Sequence, residues 1–112
     1  MLTVVVKQGD LFPDVEDIVL DENGAVVDVT GATIKFSMRP ARDPATVSLD
    51  EQDGSVVNGP QGKIKYQWLS GQTDITAGTY EGEFTIDPAV GDTFRHPTEG
   101  FITVVIEERI GA

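Results

Sequence analysis

A chain of 112 residues without cysteine has room for one modest core, and it excludes disulfide staples, thiolate chemistry and cysteine-based zinc sites. Its formal charge of −11, from 8 Lys and Arg against 19 Asp and Glu, repels phosphate and anionic lipid, so neither nucleic acid nor membrane is expected as a partner. The same acidity keeps a small protein soluble, which is the plainer reading beside that of an acidic docking face.

Met1 to Lys7 lacks the basic flank and the length of a signal segment and reads as a first strand, with Leu2 to Val6 apolar on both faces. No apolar run approaches the roughly 20 residues that span a bilayer. Asp10, Asp14, Glu16, Asp17, Asp21 and Glu22 then form an acidic stretch, read either as a solvated edge or as a patch for a basic neighbour. Asp21-Glu22-Asn23-Gly24 predicts a tight hairpin, because Asn and Gly both tolerate positive φ.

Residues 32–39 alternate strictly. Ala32, Ile34, Phe36 and Met38 fall on one face and Thr33, Lys35, Ser37 and Arg39 on the other, as a strand with one buried face requires. Asp53-Gly54, Asn58-Gly59-Pro60 and Gly91-Asp92 mark reversals. The alternation returns at 63–69, with Ile64, Tyr66 and Trp68 inward and Lys63, Lys65 and Gln67 outward. It returns again at 79–86, with Tyr80, Gly82, Phe84 and Ile86 inward. Between these two runs, Ser70 to Thr76 is assigned one helical turn in a crossover between sheets. Phe101 to Ile106 is apolar on both faces, which suits a central strand.

Short strands spaced by about ten residues, with turn chemistry between them, predict an all-β immunoglobulin-like sandwich of about seven antiparallel strands, one domain over residues 1–112. Ile34, Phe36, Ile64, Trp68, Tyr80, Phe84, Ile102 and Val104 are the expected core. Asp74-Ile75-Thr76-Ala77-Gly78-Thr79-Tyr80 has the form of a tyrosine corner, in which the hydroxyl turns back onto backbone a few residues upstream.

Catalytic chemistry finds little to build on. The single histidine, His96, precedes Pro97 and is placed at a strand end in a structural or exposed role. Asp50-Glu51-Gln52-Asp53-Gly54 lacks the alternating ligands and terminal bidentate Glu of a calcium loop, and none of the 12 glycines forms a phosphate-binding motif. The reading is therefore of a non-enzyme, with no catalytic, cofactor-binding or metal-binding residue and no cofactor.

Taken together, Val6 to Asp10, Asp28 to Arg39, Gly62 to Trp68, Asp74 to Phe84 and Phe94 to Val104 resemble the immunoglobulin-like domain of bacteriophage baseplate upper proteins and related phage fibre proteins. Gly78-Thr79-Tyr80-Glu81-Gly82-Glu83-Phe84 is the most telling piece. The resemblance implies a virion structural protein assembled in the bacterial cytoplasm, with other virion proteins as partners and copies arranged as a symmetric homo-oligomer or on a lattice. In the family this domain is followed by a stalk or host-binding part. Here the chain stops at Glu107-Glu108-Arg109-Ile110-Gly111-Ala112, so the expectation is a tail or baseplate adaptor or a capsid decoration protein. The alternative is a carbohydrate- or protein-binding module contacting the host surface.

Overall fold

The computed structural model describes residues 2–43 and 45–111, so Met1 of the predicted first strand and the terminal Ala112 lie outside the described residues. Among the described residues nine strands follow in chain order: β1 (Thr3–Lys7), β2 (Val15–Ile18), β3 (Thr33–Pro40), β4 (Leu49–Asp53), β5 (Ser55–Asn58), β6 (Lys63–Tyr66), β7 (Gly78–Asp87), β8 (Phe94–His96) and β9 (Ile102–Glu107). They form two sheets. The larger runs β1-β9-β7-β3-β4 with β8 beside β7, and the smaller runs β2-β6-β5.

The all-β, two-layer expectation stands, but strand number and direction need correction. Two lanes are broken. β9 pairs with Gly78–Gly82 of β7, and β8 continues the same side of β7 at Phe84–Ile86. β4 and β5 are separated only by Gly54, where the chain leaves the larger sheet for the smaller. The predicted reversal at Asp53-Gly54 is thus a sheet switch, of the kind that makes sandwich corners. A Cβ at Gly54 would lie 2.9 Å from both Ile34 Cγ2 and the Lys65 carbonyl, so the corner closes only over glycine. Direction differs too: β1 runs parallel to β9, from Thr3 opposite Thr103 to Lys7 opposite Glu107. These strands are far apart in the chain, so no hairpin imposes an antiparallel sense.

The core follows the period-two faces. Ile34, Phe36 and Met38 of β3 stand opposite Ile86, Phe84 and Gly82 of β7. Phe36 stacks on Tyr66 across the two sheets at 4.9 Å, leans on Phe84 at 5.1 Å and meets the edge of Trp68 at 6.1 Å. Such pairs contribute about 0.5–1.5 kcal/mol each beyond their burial. All eight expected core residues are at most 5% exposed. Val15, Val19 and Val29 are buried as well, although neighbouring charges hide any alternation around them. β9 sits between β1 and β7, the interior position its double-sided apolar pattern implied.

The segment between β6 and β7 is tied down by side chains rather than by a helix. Successive turns close through Gln72 N–H to Leu69 O at 3.1 Å and Asp74 N–H to Gly71 O at 3.2 Å. Gly71 takes a φ of 89°, which interrupts any helical continuation, and the expected helical turn does not form. Gln72 Oε1 accepts from the Leu69 amide and from the Tyr66 hydroxyl. Trp68 Nε1 donates to the Pro13 carbonyl at 2.9 Å, Thr73 Oγ1 to Asp10 O at 2.6 Å, and the Tyr80 hydroxyl to Thr76 O at 2.6 Å. The last is the contact expected of Tyr80.

The hairpin at Asp21–Gly24 forms, with one difference. Only Gly24 has positive φ; Asn23 does not. Asp21 Oδ1 instead accepts the amides of Asn23 and Ala25, and Gly24 N–H returns to Asp21 O, a turn closed by one left-handed glycine.

Candidate docking face

The outward face of the larger sheet is built from the polar half of each alternating strand. Cross-strand register sets its rows: Asp53, Lys35, Thr85 and Arg95 in one, Ser37 and Glu83 in the next, then Arg39, Glu81, Thr103 and Thr3. Two of these rows set opposite charges side by side, Asp53 with Lys35 and Arg39 with Glu81, the arrangement that favours cross-strand pairing. Arg39 Nε donates to Glu81 Oε1 at 3.0 Å, and its guanidinium lies 4.8 Å from the centre of the Phe101 ring. Lys35 Nζ bonds Asp53; that hydrogen bond, then the attraction of the carboxylate, raises the lysine above its ordinary pKa.

A shallow groove of about 260 Å³ crosses this face, its walls including Arg39, Val47, Glu81, Glu83, Arg95 and Phe101. Four carboxylates, Asp50, Glu51, Glu81 and Glu83, face the guanidinium groups of Arg39 and Arg95 there, so the groove is net acidic while offering both hydrogen-bond donors and acceptors. No pattern along the chain announces it, because its members come from several strands and the loop before β4.

His96 is a second place where polar chemistry is partly buried. As the last residue of β8 it reaches across to β2, with Nε2 2.9 Å from Asp17 Oδ2. Burial alone would raise the Asp17 pKa. The hydrogen bonds from His96 and from the Ile18 amide, with the charge of His96, prevail and hold it below the ordinary carboxylate value. Beside the pair lies a recess of about 330 Å³, walled by Leu2, Ile18, Leu20, Pro97 and Ile102. Those walls carry no hydroxyl or amide side chain for His96 to activate, so the geometry is that of a strut between sheets.

The other singled-out residues separate. Within the acidic stretch, Glu16 bonds Lys63 at 2.9 Å, Asp17 bonds His96 and Asp21 closes its own turn, while Asp10 and Glu22 are exposed and Asp14 is half-buried. Asp50 to Asp53 lie along β4 and not in a loop, and among the described residues no three His, Asp or Glu side chains gather as a metal site. Val4 and Val6 are buried and complete the core, while Val5 between them is 45% exposed at the sheet edge. No protein-family model matches the chain, and no curated protein matches it either.

Proposed function

We propose that the chain is a non-enzymatic, immunoglobulin-like module of a bacteriophage virion that docks through its sandwich surface on the tail, baseplate or capsid. Strand order is the observation that carries the immunoglobulin-like reading. β9-β7-β3-β4 facing β2-β6-β5 corresponds to the G-F-C-C′ and B-E-D sheets of that fold. The Tyr80 hydroxyl closes the corner between β6 and β7, where the fold places its conserved tyrosine. The virion reading rests on the sequence resemblance, whose most telling segment, Gly78 to Phe84, forms most of β7. Docking is supported by a surface that offers a broad charged face and shallow recesses.

Mass spectrometry of purified particles from the phage that encodes the chain tests this directly. The chain is expected in intact virions, in a copy number that matches a head or tail symmetry. Recovery in the host lysate with none in particles overturns the proposal. The second reading, a host-surface binding module, is favoured only by the groove over Phe101. There Arg39 already covers one face of the ring that a sugar would stack upon. Specific retention on a glycan array would move the assignment to that reading.

A further inference from the structure

β1 is an edge with its pairing groups turned outward. The Thr103 amide donates to Leu2 O at 3.0 Å and the Gln8 amide to Glu107 O at 2.9 Å, which fixes the phase of the parallel β1–β9 ladder. In such a ladder alternate residues direct both backbone groups to one neighbour. Residues 2, 4, 6 and 8 therefore serve β9, and Thr3, Val5 and Lys7 turn theirs to the open side, where the Lys7 carbonyl already accepts from Asp10 N–H. Other edges are blunted or, like the three-residue β8, short. β4 carries Asp50, Glu51 and Asp53, β2 carries Glu16 and Asp17, and β5 is broken by a register shift between Val56 and Asn58. β1 has three valines and a single charge, at Lys7.

We propose that β1 pairs antiparallel with β1 of a second copy, about a two-fold axis at Val5, joining the two larger sheets into one. The outward residues are evenly spaced about Val5, so Val5 meets its own counterpart and Thr3 meets Lys7, with no like charges opposed. An isologous contact requires this self-complementarity. The exposed Val5 already stands beside Val105, and the axis would extend that apolar pair across the interface.

Three edge residues bury too little by themselves, since stable interfaces remove about 1,200 Å² or more of surface. The same symmetry supplies more. A two-fold axis perpendicular to the sheet keeps both smaller sheets on one side and brings the segment after Lys7 of one copy to the Leu2 end of the other. That end holds the apolar recess of Leu2, Ile18, Leu20, Pro97 and Ile102, and the segment carries Phe12, which is 78% exposed. Phe12 of each copy covers the recess of the other.

The inference concerns the isolated chain and stands whether or not the virion proposal holds. Sedimentation velocity on the whole chain, from low micromolar to millimolar concentration, tests it. A reversible dimer is expected, tighter at high salt because each copy carries −11. The Val5 amide faces outward, so Val5→Pro leaves the β1–β9 ladder intact and removes a pairing donor. It should weaken the dimer about tenfold or more, and Phe12→Ser should weaken it several-fold. If the proline variant fails to fold, Val5→Lys serves, by placing two ammonium groups at the axis. A chain that stays monomeric at millimolar concentration in high salt overturns the proposal. So does a dimer that a folded Val5 variant leaves unchanged.

Discussion

His96 Nε2 stands 2.9 Å from Asp17 Oδ2, and this one contact joins β8 of the larger sheet to β2 of the smaller, 79 residues apart in the chain. The histidine side chain is 9% exposed and the carboxylate 29%, so the pair is shielded from water on the histidine side only. Its role in the fold is to hold the end of the sandwich closed beside the recess walled by Leu2 and Ile18.

Asp17→Asn should destabilise the protein by about 1–2 kcal/mol at neutral pH, the scale of a charge-assisted hydrogen bond discounted for its partial exposure. The Asp17 pKa is lowered in the folded state from its ordinary 3.8. A depressed carboxylate contributes stability that is fully present above the unfolded value and is lost as pH falls through the folded one. Urea unfolding of both proteins should therefore show a gap that is still present at about pH 4. Below that the gap should close. A gap that persists in strong acid would trace the loss to packing and not to the charge.

Phe84→Ala should cost about 3–5 kcal/mol, because a fully buried ring is deleted and its neighbours cannot collapse into the space. Phe84 is 0% exposed and stands 5.1 Å from Phe36, the ring that touches Tyr66 and Trp68 as well. Denaturant midpoints at unchanged slope measure it. A midpoint that hardly moves would put the phase of β7 in error.

Gly82→Ala tests the opposite fault. A Cβ there would lie 2.7 Å from Phe36 Cζ and 3.0 Å from Cε1, and the Phe36 ring is held by aromatic neighbours. Overpacking of this kind costs about 1–3 kcal/mol. Thermal melting should fall accordingly, and a neutral result would mean that Phe36 has room to swing away.

Tyr80→Phe removes only the hydroxyl that donates to Thr76 O at 2.6 Å. The expected loss is about 1 kcal/mol, the net worth of an ordinary hydrogen bond. Amide hydrogen exchange should quicken first around Thr76 and Ala77, beside the carbonyl that loses its donor. Uniform acceleration over both sheets would show that Tyr80 serves global packing instead.

Much of the core could be read from the chain because the relevant physics is local. Side chains alternate across a strand whatever it pairs with, so β3, β6 and β7 display their inward residues directly in Ile34-Lys35-Phe36, Ile64-Lys65-Tyr66 and Tyr80 to Ile86. Tyr80 with Thr76 was legible for the same reason, being four residues apart. The rest required the tertiary structure. Whether β1 lies parallel to β9, and that Gly54 carries the chain between sheets, depend on how distant segments close around the core. His96 finding Asp17, and Arg39 lying over Phe101, depend on the same closure. Each of those contacts joins residues whose immediate neighbours carry no trace of the partner, since pairing across a sandwich is settled by the whole set of buried faces and not by any one strand.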